Sequence, residues 1–102
     1  MGIEARLKRE SGEVLAEVFD SKMALSRAAQ HDAFAGTRLL RYLMPWSDAV
    51  FNQAQADDLD ADIAAIKRTS TDPQLLEVLC RLEPLVAQLS RETHAYLWFI
   101  GD

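Results

Sequence analysis

The chain is poor in the residues that small proteins use for chemistry. Its one cysteine, Cys80, excludes an internal disulfide and suits a reducing compartment, so a cytoplasmic protein is expected. His31 and His94 are the only histidines. With one cysteine beside them they make no recognisable metal-ligand spacing, so neither a metal nor another cofactor is expected. Four glycines form no phosphate-cradling loop, and no G-x-S-x-G elbow occurs. Apolar runs fall well short of the roughly eighteen residues that a membrane helix needs. No basic-then-apolar stretch opens the sequence, and Arg6 stands where a myristoylation pattern requires Ser or Thr. Membrane association is therefore not expected.

Bases are also in the minority. Eleven Lys and Arg face sixteen Asp and Glu, a formal net charge of −5. The densest basic group, Arg6, Lys8 and Arg9, is interleaved with Glu4 and Glu10. Phosphate affinity comes from clustered bases, so nucleic-acid binding is disfavoured, while an acidic chain suits a basic protein partner.

What the chain does have is apolar patterning. Hydrophobic residues make up 49% of its 102 positions, which is enough for one domain with a real core. Ile3, Ala5 and Leu7 alternate with Glu4, Arg6 and Lys8. After a polar break around Ser11-Gly12, Val14, Ala16 and Val18 alternate with Leu15, Glu17 and Phe19, which predicts a β-hairpin over residues 3–20. Residues 21–35 change period and suit a short helix capped by Ser21, with His31 at its end. Leu39–Met44 is an apolar run that reads as a third strand, turning at Pro45-Trp46-Ser47-Asp48.

Asn52 is placed to cap a helix over residues 53–68, with Leu59, Ile63 and Ile66 as its stripe. Asp57, Asp58, Asp60 and Asp62 load its first half with negative charge, favourable toward the positive end of the helix dipole. Asp58-x-Asp60-x-Asp62 opens like a calcium loop but fails at Ile63 and Thr69, where Gly and Glu belong. The aspartates together read as a solvated acidic face or as a surface for a basic partner. Asp72-Pro73 starts a last helix, roughly 73–92. Its seam of Leu75, Leu79, Leu82, Val86 and Leu89 keeps phase across Pro84, which favours one kinked helix over two. Cys80, next to the seam, reads as a buried structural thiol.

The closing run Ala95–Ile100 is apolar throughout and reads as a strand buried on both faces. The order is β-β-α-β-α-α-β. This predicts an α+β fold: a mostly antiparallel four-stranded sheet, helices on one face, the C-terminal strand central.

Two segments could carry a ligand. The turn Pro45–Gln53 gathers Trp46, Asp48 and Asn52, although Asp48 and Asn52 also suit turn and cap roles. Around the last strand, His94, Tyr96 and Trp98 alternate and would share one sheet face as an aromatic wall, or close a core edge. Cooperation between the segments requires Asp48 and His94 to meet within hydrogen-bond reach or through one water.

Arg41-Tyr42-Leu43-Met44-Pro45-Trp46-Ser47-Asp48-Ala49-Val50-Phe51-Asn52 resembles a block often reading R-(aromatic)-x-(small)-P-(aromatic)-G-D-T-V-F-N. His94-Ala95-Tyr96-Leu97-Trp98-Phe99-Ile100-Gly101-Asp102 resembles the closing H-x-Y-L-x-F-x-G-D of the same group, short uncharacterised bacterial proteins. Ser47 and Ala49 depart from the usual Gly and Thr. The resemblance implies a bacterial cytoplasm and no particular activity. Together these readings lean away from an enzyme and toward a protein that works by binding, as a homodimer or with an immunity-like or regulatory partner. The alternative is a small-molecule binder or enzyme using Trp46, Asp48, Asn52, His94 and Tyr96.

Overall fold

The computed structural model describes residues 2–101; Met1 and Asp102, the last residue of the closing motif, lie outside them. Four antiparallel strands form one sheet in the order β2-β1-β4-β3, from β1 (Glu4–Arg9), β2 (Val14–Phe19), β3 (Ala49–Phe51) and β4 (Ala95–Ile100). Helices α1 (Ala24–Gln30), α2 (Ala56–Thr69) and α3 (Pro73–Leu89) cover one face. The fold is the expected α+β arrangement, and the C-terminal strand lies in the interior of the sheet, between β1 and β3.

Period two decides which face is covered. Ile3, Ala5 and Leu7 are buried, as are Ala95, Leu97 and Phe99 beside them. The apolar seam of α3 packs down on this floor with Leu75, Leu79, Leu82, Val86 and Leu89. Phe51 meets Phe99 edge to face, ring centroids 5.8 Å apart, tying the short β3 to the core. The hairpin turn is closed by Gly12 at φ 97°, a conformation that glycine adopts without strain.

Several local expectations are corrected. The run at 39–44 is not a strand. It forms a 3-10 turn at Leu40–Tyr42, and the third strand is Ala49–Phe51, beyond Pro45. Asp62 causes this: its carboxylate accepts the N–H groups of Arg38 (3.0 Å), Leu39 (2.7 Å) and Leu40 (3.1 Å). Donors caught this way need no strand ladder. Helix α1 is shorter than expected. Met23, not Ser21, is its N-cap residue, and the Asp20 carboxylate accepts the first N–H groups of the helix, from Ala24 and Leu25 at 3.0 and 2.7 Å. His31 does sit at its C-terminal end. Helix α3 continues unbroken through Pro84 and ends at Leu89. Cys80 is exposed rather than buried, because one residue past Leu79 turns it about 100° away from the seam.

Strand β4 is not buried on both faces. Ala95, Leu97 and Phe99 are in the core, while Tyr96, Trp98 and Ile100 are half-buried by their neighbours in the sheet. Among the described residues no helix packs on their side.

Candidate functional site

The two segments singled out in the sequence lie side by side. Ala49, Val50 and Phe51 pair with Phe99, Trp98 and Leu97. Beyond the ladder, Asp48 Oδ1 accepts the N–H of Gly101 at 3.1 Å. Gly101 has no room for a side chain: a Cβ there would sit 2.5 Å from Ser47 N and O and 2.6 Å from Met44 O. The backbone N–H of Asn52 donates to Gln55 Oε1 (2.8 Å), and Gln53 Nε2 donates to Ser90 O (3.0 Å). Asp48 and Asn52 therefore take part in bonds that lock the turn to the tail and start the next helix. Trp46 projects from the turn, 63% exposed.

His94 lies elsewhere. In the β3–β4 register Asp48 falls opposite Ile100, six residues from His94, or roughly 20 Å at strand rise. That separation excludes direct acid–base cooperation between them. His94 also stands outside the strand, with φ 59° in the left-handed region. Its carbonyl accepts from Glu10 N at 2.7 Å and its Nδ1 lies 3.1 Å from Glu10 Oε2, so it is tied to the hairpin turn. The proposed five-residue cluster does not assemble.

Tyr96 and Trp98 do share a face, and the register shows with what. Three cross-strand rows face away from the helices. The first is Phe19–Glu4–Ile100, the second Glu17–Arg6–Trp98–Val50, the third Val14–Lys8–Tyr96. Lys8 Nζ lies 4.6 Å from the centre of the Trp98 ring, and Arg6 Nη2 is 3.0 Å from Glu4 Oε2. The Arg6 Nε is covered by its neighbours without an acceptor. Phe19 is 50% exposed and Val50 42%. Among the described residues a depression of about 490 Å³ flanks the first row, lined by Phe19, Ile100, Met23 and Asp20 among others. Asp20 accepts two N–H groups of α1 and Glu4 lines the same depression, so it borders the apolar surface with two carboxylates.

The acidic helix is less of a surface than its sequence implied. Asp62 is buried, 4% exposed, and committed to the 38–40 backbone. Asp58 is 2.7 Å from Arg38 Nη1. Asp57 and Asp60 remain exposed. Partial desolvation by its neighbours raises the pKa of the Asp60 carboxyl from its ordinary value, and the charges of Glu83 and Asp57 raise it further. Its negative form therefore weakens the fold above that value rather than supporting it. Nearby, Lys67 Nζ meets Glu83 Oε1 at 3.1 Å. That hydrogen bond raises the Lys67 pKa most, with a smaller contribution from Cys80. Among the described residues no three His, Cys, Asp or Glu side chains are grouped to hold a metal ion, and no helix is long and apolar enough to cross a membrane.

No family model, curated protein or solved structure matches the chain. The resemblance to the short bacterial group rests on its two motifs alone.

Sequence reasoning named Tyr96 and Trp98 but missed Phe19, Val50, Arg6 and Lys8. The period-two pattern marks Phe19, Arg6 and Lys8 as outward-facing, while Val50, which reads in the sequence as a buried anchor beside Phe51, is 42% exposed because it alternates with Phe51 in β3. Only the strand order puts them beside Trp98.

Proposed function

We propose that this chain is a non-catalytic protein that works by binding another protein through the bare face of its sheet. One observation carries the reading. Every outward position of β4, Tyr96, Trp98 and Ile100, is apolar or aromatic, and Val50 extends that surface on β3, while the exposed Phe19 stands on β2 across the charged β1 row of Glu4, Arg6 and Lys8. A face left to water normally alternates to polar residues. Single exposed apolar side chains are ordinary, but a contiguous group marks a docking surface.

The sheet edges are poorer candidates. Strand β3 has only three residues. On β2 a bulge leaves Leu15 without a partner, since Leu7 pairs with Ala16 and Lys8 with Val14. Short and bulged edges resist strand addition. The acidic helix offers Asp57 and Asp60, with Asp58 already paired to Arg38 at the surface. A role as a small-molecule binder or enzyme through Trp46, Asp48, Asn52, His94 and Tyr96 loses its support with the separation of Asp48 from His94. The single exposed thiol, unable to pair within the chain, suits a reducing compartment such as a bacterial cytoplasm.

The test is quantitative affinity capture from the cells that make the protein, comparing wild type with the double variant Trp98→Glu, Val50→Glu. Both positions are on the uncovered face, so the fold should survive, which circular dichroism checks. The expected result is loss of the specifically captured proteins, copies of the chain included. Undiminished capture by the folded variant contradicts the reading.

A further inference from the structure

We propose that the occupant of this face is a second copy of the chain, packed sheet to sheet about a two-fold axis. This rests on the docking-face reading above and adds the identity of the partner. The argument is the distribution of charge. The chain carries −5, yet along the rows of the bare face Glu4 and Glu17 balance Arg6 and Lys8, with Asp20 and Asp48 adding negative charge only at its rim. Asp57, Asp58 and Asp60 are on α2, in the opposite layer. Two copies therefore approach with least repulsion through this face.

The charges are also ordered to complement themselves. Along β1 the outward side chains run from an acid, Glu4, through Arg6 to a base, Lys8. A two-fold axis lying in the interface, across the strands at the Arg6–Trp98 row, reverses that order in the second copy. Glu4 of each copy then faces Lys8 of the other, because an isologous contact repeats every pairing twice. Trp98 meets Trp98 at the centre, and Ile100 meets Tyr96. Arg6 and Glu17 lie on the axis and each faces its own copy, and the two diagonal Arg6–Glu17 pairs between neighbouring strands offset those like charges.

Size sets the strength. Three six-residue strands and the three-residue β3, spaced about 4.8 Å with about 3.3 Å per residue, give a flat footprint of roughly 330 Å² per copy. Side-chain relief brings the total to the order of 1,000 Å², the range of weak and reversible association rather than of an obligate dimer.

The test is sedimentation and light scattering of purified protein across concentration. Wild type should rise from 11.4 kDa toward twice that mass, with a dissociation constant in the micromolar range. Glu4→Lys alone and Lys8→Glu alone should each weaken self-association by about tenfold or more, since each creates two like-charge pairs. Mixing the two variants should restore it, because a chain with bases at both positions then faces a chain with acids at both. Recovery on mixing also shows that both variants are folded. A wild type that stays at 11.4 kDa up to about 1 mM overturns the second copy. So does a mixture that fails to recover. If the wild type is monomeric while Trp98→Glu, Val50→Glu still abolishes capture, the docking face stands and the second copy is overturned as its occupant. A dimer indifferent to all these substitutions has its interface elsewhere and overturns this proposal.

Discussion

Three backbone N–H groups converge on the Asp62 carboxylate, and this one side chain sets the path of residues 38–40. Charge-assisted bonds to a carboxylate are stronger than neutral ones, and orphaned buried donors are costly. Asp62→Ala should therefore destabilise the fold by about 3–5 kcal/mol, read from urea unfolding; an effect below about 1 kcal/mol would mean that water replaces the carboxylate. Residue type alone could not reveal this role. Asp62 shares its type and spacing with Asp58, which pairs with a solvent-exposed Arg38 side chain. The difference comes from the chain 22 residues before Asp62, at Leu40, folding against one side of α2. Cys80 departs from its expected burial for a related reason: adjacency to a seam residue is not membership of the seam. His94 and Tyr96 are two residues apart, yet the left-handed backbone of His94 removes it from the strand face on which Tyr96 stands.

Elements that signal through their own period were legible. The hairpin shows alternation around Ser11-Gly12, α3 shows a cap, a proline start and a seam, and both match the structure. The third strand was not legible, because its three residues are too few for a period. The apolar run before it belongs instead to a turn held by Asp62. The contact between the 44–48 turn and the tail was visible only as two separate motifs. Gly101 makes it possible, since its missing side chain lets the Met44–Ser47 backbone close in and Asp48 bond across. Gly101→Ala should push the turn off β4 and cost about 1–3 kcal/mol, measured as a lower unfolding midpoint, whereas an unchanged midpoint would show that the turn has slack.

At the scale of the whole molecule, one fact dominates: among the described residues three helices lie on one side of a four-stranded sheet and none on the other. The fold class and the central place of β4 are legible in the unbroken apolar run of the tail. That run by itself implies burial on both faces. The structure covers one and leaves Tyr96, Trp98 and Ile100 on the other. The docking account follows from that mismatch between an apolar strand and an uncovered face. It could not be read from the sequence, because Phe19, Val50, Arg6 and Lys8 join the patch only through strand order. The most direct measurement is a nuclear magnetic resonance dilution series, following each backbone amide as concentration falls. The account predicts shifts concentrated at the outward rows, around residues 4–8, 17–19, 50 and 96–100, and quiet helices α2 and α3. Shifts confined to α2 around Asp57 and Asp60, or no shifts at any concentration, would contradict it.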